Sequence, residues 1–194
     1  MLLRMAPSPD AEADLFAKAR GGNLFAFEEI VRRYQRRVYA VARRIVRRHE
    51  VADDVVQETF LRVWQNLGTF DASRPFGPWV CRIAANLAIN HVRSPESRED
   101  PLPERDDPAP APDPLENVLG GEAAAQLERA LFSLNPEQRA VFVLRNVEEL
   151  SYREIAEALD IEIGTVMSRL SRARERLRGA LLPYLRAKGA GGAA

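Results

Sequence analysis

Apolar residues in this chain recur at intervals of three and four and nowhere alternate over a useful length, which predicts helices and no strands. The longest amphipathic run is about Leu24 to Arg48. Phe27, Val31, Tyr34, Val38, Val41 and Ile45 form one stripe there, and Arg32, Arg33, Arg36, Arg37, Arg43, Arg44, Arg47 and Arg48 fill the rest. A short helix over Asp10 to Arg20 precedes it, ended by Gly21 and Gly22. A third helix is predicted over about Val51 to Leu67, with Val56, Phe60, Val63 and Leu67 inward. A loop from Gly68 to Arg74 leads to a fourth, about Pro75 to Arg93, carrying Trp79, Ile83, Leu87 and Val92 at helical intervals.

The second half repeats this economy. Leu115 to Leu134 has helical spacing. Asn135, Pro136 and Gln138 then supply an N-cap, a proline at the first helical position and a capping-box partner. Ser151 and Glu154 form a second capping box, opening a short helix that ends near Leu159. A last helix starts around Ile163 and runs to about Leu182, where Pro183 is expected to stop it. The pair Tyr152–Leu159 and Ile163–Leu182 matches a helix-turn-helix, with Ile155, Leu159, Ile161, Val166 and Leu170 between the helices and small Ala156 at the close approach. Asp160 stands where such a turn needs a left-handed residue. The second helix would expose Thr165, Ser168, Arg169, Ser171, Arg172, Arg174, Arg176 and Arg178. Hydroxyls and guanidiniums at a helix N-terminus suit phosphates and base edges in a major groove. A purely structural hairpin is the alternative.

Between the halves the apolar pattern stops. Ser94 to Pro114 holds Pro95, Pro101, Pro103, Pro108, Pro110, Pro112 and Pro114, with Glu96, Glu99, Asp100, Glu104, Asp106, Asp107 and Asp113. So little apolar surface cannot offset the entropy of ordering, and the segment reads as an acidic, Pro-rich linker. The expected architecture is all-α. Two small helical domains, 10–94 and 115–186, are joined by the linker 95–114.

Charge changes the picture once it is resolved along the chain. The formal net charge is zero, yet Arg20 to Arg93 carries +6, Pro95 to Glu122 −7 and Ala123 to Lys188 +2. A basic first domain favours polyanions, because phosphate contacts release counterions; a solvated Arg-rich surface is the other reading. No apolar run is long enough to cross a membrane, and Met1 to Asp10 lacks the core of a signal peptide, so a cytoplasmic location is expected. Cys81 is the lone cysteine, His49 and His91 are the only histidines, and no Cys/His cluster has metal-ligand spacing. No catalytic residues, metal or cofactor are expected, and the chain is not expected to be an enzyme.

Two further groups stand out. The loop and fourth helix carry Phe70, Phe76 and Trp79 among Arg74, Arg82, Asn86, Asn90, His91 and Arg93. Aromatics beside cations and amides suit unpaired bases, although Phe70 and Trp79 fit core or loop anchors better than stacking platforms. Asn86, Asn90 and Arg93 have less reason to be buried. On the third helix Asp53, Asp54, Gln57, Glu58, Leu61 and Gln65 lie away from the inward stripe. They form either a solvated face or a docking face with Leu61 as its apolar anchor.

The stretch Asp53 to Trp64 (DDVVQETFLRVW), followed by Phe70 to Trp79 and Arg82 to Asn86, resembles the polymerase-binding and minus-ten segments of bacterial sigma factors. Leu150 to Leu159, followed by Gly164 to Leu177, resembles the sigma helix-turn-helix. Two such domains with only a linker between them resemble the extracytoplasmic-function group of the sigma-70 family, over roughly Gly22 to Leu182.

The resemblance implies a region 2-like first domain and a region 4-like second domain, serving promoter recognition, DNA melting and transcription initiation. It implies core RNA polymerase as partner, through the β′ coiled coil and the β subunit, with Asp53, Asp54, Gln57, Glu58 and Leu61 at the contact. It implies minus-ten DNA at Phe70, Arg74, Phe76, Trp79, Arg82, Asn86, Asn90, His91 and Arg93. Minus-thirty-five DNA would meet Arg153, Thr165, Met167, Ser168, Ser171 and Arg172. Group members are often held inactive by an anti-sigma factor, so a partner of that kind is implied too. The chain departs from the family pattern at Met167, Asp160 and Glu162, where a cation, Gly and Pro are usual. One cation fewer and two carboxylates more should weaken generic phosphate attraction. The competing function is a stand-alone helix-turn-helix regulator that binds duplex DNA without polymerase.

Overall fold

A computed structural model describes residues 9–72, 74–94 and 121–191, all helical or in short turns. Four helices form the first half: α1 (Pro9–Arg20), α2 (Leu24–Ile45), α3 (His49–Asn66) and α4 (Phe76–Arg93), with a 3-10 turn at Leu67–Thr69. Four more form the second: α5 (Gly121–Phe132), α6 (Pro136–Asn146), α7 (Tyr152–Leu159) and α8 (Ile163–Gly191). The predicted linker lies outside the described residues.

Asn23 caps α2 by accepting from the Ala26 amide at 3.1 Å. The helix stops at Ile45, three residues before the predicted end, because Val46 turns to extended backbone and buries its side chain. The buried face of α2 includes Ile30, Val38, Val41, Ala42 and Ile45. Phe27, Val31 and Tyr34 of the predicted stripe sit at its half-buried margin. On α3 the fully inward residues are Val55, Phe60 and Val63, with Val56 half-buried. α6 opens with the predicted cap, Asn135 accepting from the Gln138 amide at 2.8 Å. Only this half of a capping box forms, since the Gln138 Oε1 atom is buried without a partner. Ser151 and Glu154 make the full reciprocal box at α7.

Pro183 does not stop the last helix, which continues to Gly191. A proline removes one helix hydrogen bond and crowds the carbonyl four residues earlier. That carbonyl belongs to exposed Gly179, where water can serve it.

The two halves pack against each other. α6 lies across α2 and α4, α7 rests on α4, α5 touches α2, and α8 backs α5, α6 and α7. Val141, Val143, Leu144, Leu150, Ile155, Ala156 and Ala158 of the second half join Ile30, Val38, Val80, Ala84 and Ala88 in one apolar core. At one end of this seam Phe132 gathers the guanidiniums of Arg43, Arg47 and Arg139, the last 4.4 Å from the ring centroid. Burial and the charge of Arg47 lower the Arg139 pKa to about 10. Where the sequence predicts two bodies tied by a linker, this conformation has a common core.

Candidate nucleic-acid interface

The helix-turn-helix is built as its residues require. Asp160 takes φ 50° and ψ 54°, the left-handed conformation that reverses the chain after α7. Ile155, Val166 and Leu170 are fully buried between α7 and α8. Ser168, Ser171 and Arg172 stand exposed, Thr165 is half-exposed, and Met167 is 54% exposed on the same helix. The exposed Arg153 lines a shallow groove with Ala156, Glu157, Asp160 and Ile163. All six predicted minus-thirty-five residues therefore lie on α8 or at its edge. The Glu154 carboxyl is held below its usual range by the Ser151 hydroxyl and backbone amide that it completes.

The docking face also comes together. Asp53, Asp54, Gln57 and Leu61 are exposed along α3, Leu61 at 51%, with Glu58 half-exposed and bonded to Arg62 at 2.8 Å.

The predicted minus-ten set divides. Phe70 and Phe76 are 5% and 2% exposed, so neither is available to stack on a base. They form an aromatic cluster with Phe16, Tyr34 and half-buried Trp79, with ring centroids 4.7 to 5.6 Å apart. Five aromatic faces gain more from one another than from water. Arg20 pins the loop beneath them, donating to the Phe70 carbonyl at 2.7 Å and the Leu67 carbonyl at 3.3 Å. Arg20 was not singled out from sequence, because its partners lie 47 and 50 residues away.

Asn86, expected on an open face, is half-buried, and its amide donates to the Ala158 carbonyl of α7. Arg82 lies 4.0 Å from Glu157, and Arg93 2.8 Å from Glu137. Arg74 and Asn90 are exposed, and His91 is half-exposed. The open part of the set is thus Arg74 and Asn90 with half-exposed His91; Arg82, Asn86 and Arg93 are engaged by the second half.

Family models decide the relationship. Sigma-70 region 2 matches residues 30–99, and Sigma-70, region 4 matches residues 124–177. The chain belongs to the extracytoplasmic-function sigma factors of the sigma-70 family. Over 162 residues this sigma factor is 39% identical to ECF RNA polymerase sigma factor SigE of Mycolicibacterium smegmatis, covering 82% of the chain but only 63% of that protein. It is 32% identical over 171 residues to ECF RNA polymerase sigma factor SigW of Bacillus subtilis, covering 83% of the chain and 91% of that protein. Among solved structures it resembles CnrH in complex with the cytosolic domain of CnrY, at 30% identity and a TM-score of 0.60, over 90% of this chain and 98% of that one. Sigma factors direct RNA polymerase to promoters and are not enzymes. No described helix is long and apolar enough to cross a membrane.

Proposed function

We propose that this sigma factor divides promoter recognition between its two halves, with 10–94 and 115–186 as functional units and 95–114 as connector. α3 docks on the polymerase β′ coiled coil through Asp53, Asp54, Gln57, Glu58 and Leu61. An exposed leucine on the same helix as Asp53, Asp54 and Glu58 offers an apolar anchor and charges that orient a basic partner. The far end of α4, with Asn90, His91 and Arg93, meets minus-ten DNA, joined by Asn86 and Arg82 once they are uncovered. Phe70, Phe76 and Trp79 shape the loop from within. Arg153, Thr165, Met167, Ser168, Ser171 and Arg172 meet the minus-thirty-five element, and the Met167 thioether suits a thymine methyl. The β subunit is a further contact, the cytoplasm is the location, and an anti-sigma protein is a further partner. CnrH, solved with part of CnrY, supports a polypeptide partner of some kind.

The observation that carries this reading is the exposed row on α8 behind a fully capped, left-handed turn. The test mixes purified chain with core polymerase and a library of random promoters, then sequences the transcripts. New start sites sharing two spaced elements are expected. Start sites unchanged from core polymerase alone would refute it. Arg172→Ala should relax preference in the upstream element only, and Leu61→Ala should weaken polymerase binding without changing preference.

A further inference from the structure

Glu148 sits in the turn between α6 and α7, and its carboxylate is 3% exposed. Its partners lie across the seam. Oε2 accepts from Arg37 Nε of α2 at 2.6 Å and from Cys81 Sγ of α4 at 3.1 Å. Burial, then the Glu148 charge, push the Cys81 thiol above its ordinary range, so it stays protonated and can donate.

The turn is preset to aim this side chain inward. Glu149 takes a positive φ of 57°, and Arg145 donates to the Glu149 and Leu150 carbonyls at 3.3 and 3.0 Å. The receiving side is equally shaped. Arg37 passes over Gly77 in the first turn of α4, where any Cβ would collide with its guanidinium. The four inter-half ion pairs among the described residues, Arg37–Glu148, Arg43–Glu128, Arg82–Glu157 and Arg93–Glu137, all take the cation from the first half and the carboxylate from the second. Two of those cations, with Asn86, belong to the surface assigned above to minus-ten DNA. Two carboxylates thus stand where phosphates would, and the Ala158 carbonyl stands where a base edge would.

We propose that Glu148, seated between Arg37 and Cys81, is a latch that holds the second half over the DNA-reading surface of the first, so that the chain is shut until the halves part. The latch rests on the minus-ten reading only for its consequence; the closure itself is independent of it. Glu148 is buried and Arg37 is not, so removing Arg37 leaves a buried carboxylate uncompensated, while removing the Glu148 charge takes away the anchor that draws Arg37 to the seam; either should open it.

The test uses the full chain with Glu148→Gln, Gly77→Ala and the double variant Arg37→Gln/Glu148→Gln, with exposed Glu149→Gln as control. Gly77→Ala keeps every charge and puts a Cβ against the Arg37 guanidinium, so it remains informative if Glu148→Gln folds poorly. Small-angle scattering reads separation of the halves, and alkylation of Cys81, buried at the seam, reads local opening. A fluorescent minus-ten single strand reads access to the DNA surface without polymerase. Glu148→Gln and Gly77→Ala should enlarge the radius of gyration, speed alkylation and tighten strand binding about tenfold, because apparent affinity scales with the open fraction. The double variant should open no further than Glu148→Gln alone. Unchanged radius and alkylation in helical, folded Glu148→Gln and Gly77→Ala would overturn the latch. Opening without tighter strand binding would uphold the latch and refute the minus-ten reading.

Discussion

Asp160 holds a left-handed backbone that costs an ordinary residue about 1 kcal/mol and costs glycine nothing. It also places a carboxylate at the mouth of the groove beside Arg153. Asp160→Gly should therefore raise stability by up to about 1 kcal/mol and tighten duplex binding by α8; thermal unfolding and a salt titration of duplex affinity check the two effects separately. Ser151 gives a second expectation at this scale. Ser151→Ala removes one half of the only reciprocal capping box found among the described residues and should cost about 1 kcal/mol. Because the Glu154 pKa is depressed in the fold, its contribution is present above the ordinary carboxylate range and fades as pH falls through the depressed value. Glu154→Gln should flatten that acid dependence, read from unfolding midpoints between pH 6 and about 3. These residues were legible in advance, since caps and left-handed turns are local chemistry. Glu148 was not, because a buried carboxylate with partners 111 and 67 residues away leaves no local mark.

At the scale of the element, spacing identified the helices and misjudged how many sides they bury. On α4 the predicted stripe of Trp79, Ile83, Leu87 and Val92 is largely half-buried, while Val80, Cys81, Ala84, Ala85 and Ala88 are buried more fully. Small residues on a second face signal close approach by other helices, and α4 is packed by α2 and α3 as well as by α6 and α7. That signal was in the chain, but a single-stripe reading assumes solvent on the far side. Burial of Phe70 and Phe76 has the opposite lesson. Aromatics near cations suit unpaired bases, yet five rings within reach of one another pack together first. The last helix passes Pro183 because the carbonyl left without a donor, that of Gly179, is exposed to water, a context that proline propensity alone does not carry. Pro183→Ala should restore the missing hydrogen bond to Gly179 and slow amide exchange over residues 184–187, with little effect on α7. Exchange rates unchanged in that segment would show that the helix gains nothing there.

For the whole molecule, the basic character of the first half is plain from sequence, which points to an external polyanion as its partner. In the structure the second half supplies carboxylates to the same arginines, so under the proposed minus-ten reading closure and DNA binding would compete for Arg82 and Arg93. Such competition makes the conformation sensitive to acid. Burial alone would raise the Glu137 pKa, but its backbone hydrogen bond and Arg93 outweigh burial and hold it below the usual range. Arg93 acts on Glu137 only while the halves are together, whereas the bond from its own backbone stays with α6 when they part, so it is protonation of the Arg93 pair that links closure to acid. Closure is firmest above the ordinary carboxylate range and loosens as pH falls through the depressed value. Scattering should show the radius of gyration rising as pH falls through that interval, while helical content holds. Glu137→Gln removes the titrating group, so its radius should be larger near neutral pH and respond less to acid. A variant as compact as the parent at neutral pH, with the same acid response, would mean that the Arg93 pair does not help close the molecule. Added salt should act in the same direction on the exposed pairs and hardly at all on Glu148, since screening weakens charges in water far more than buried ones.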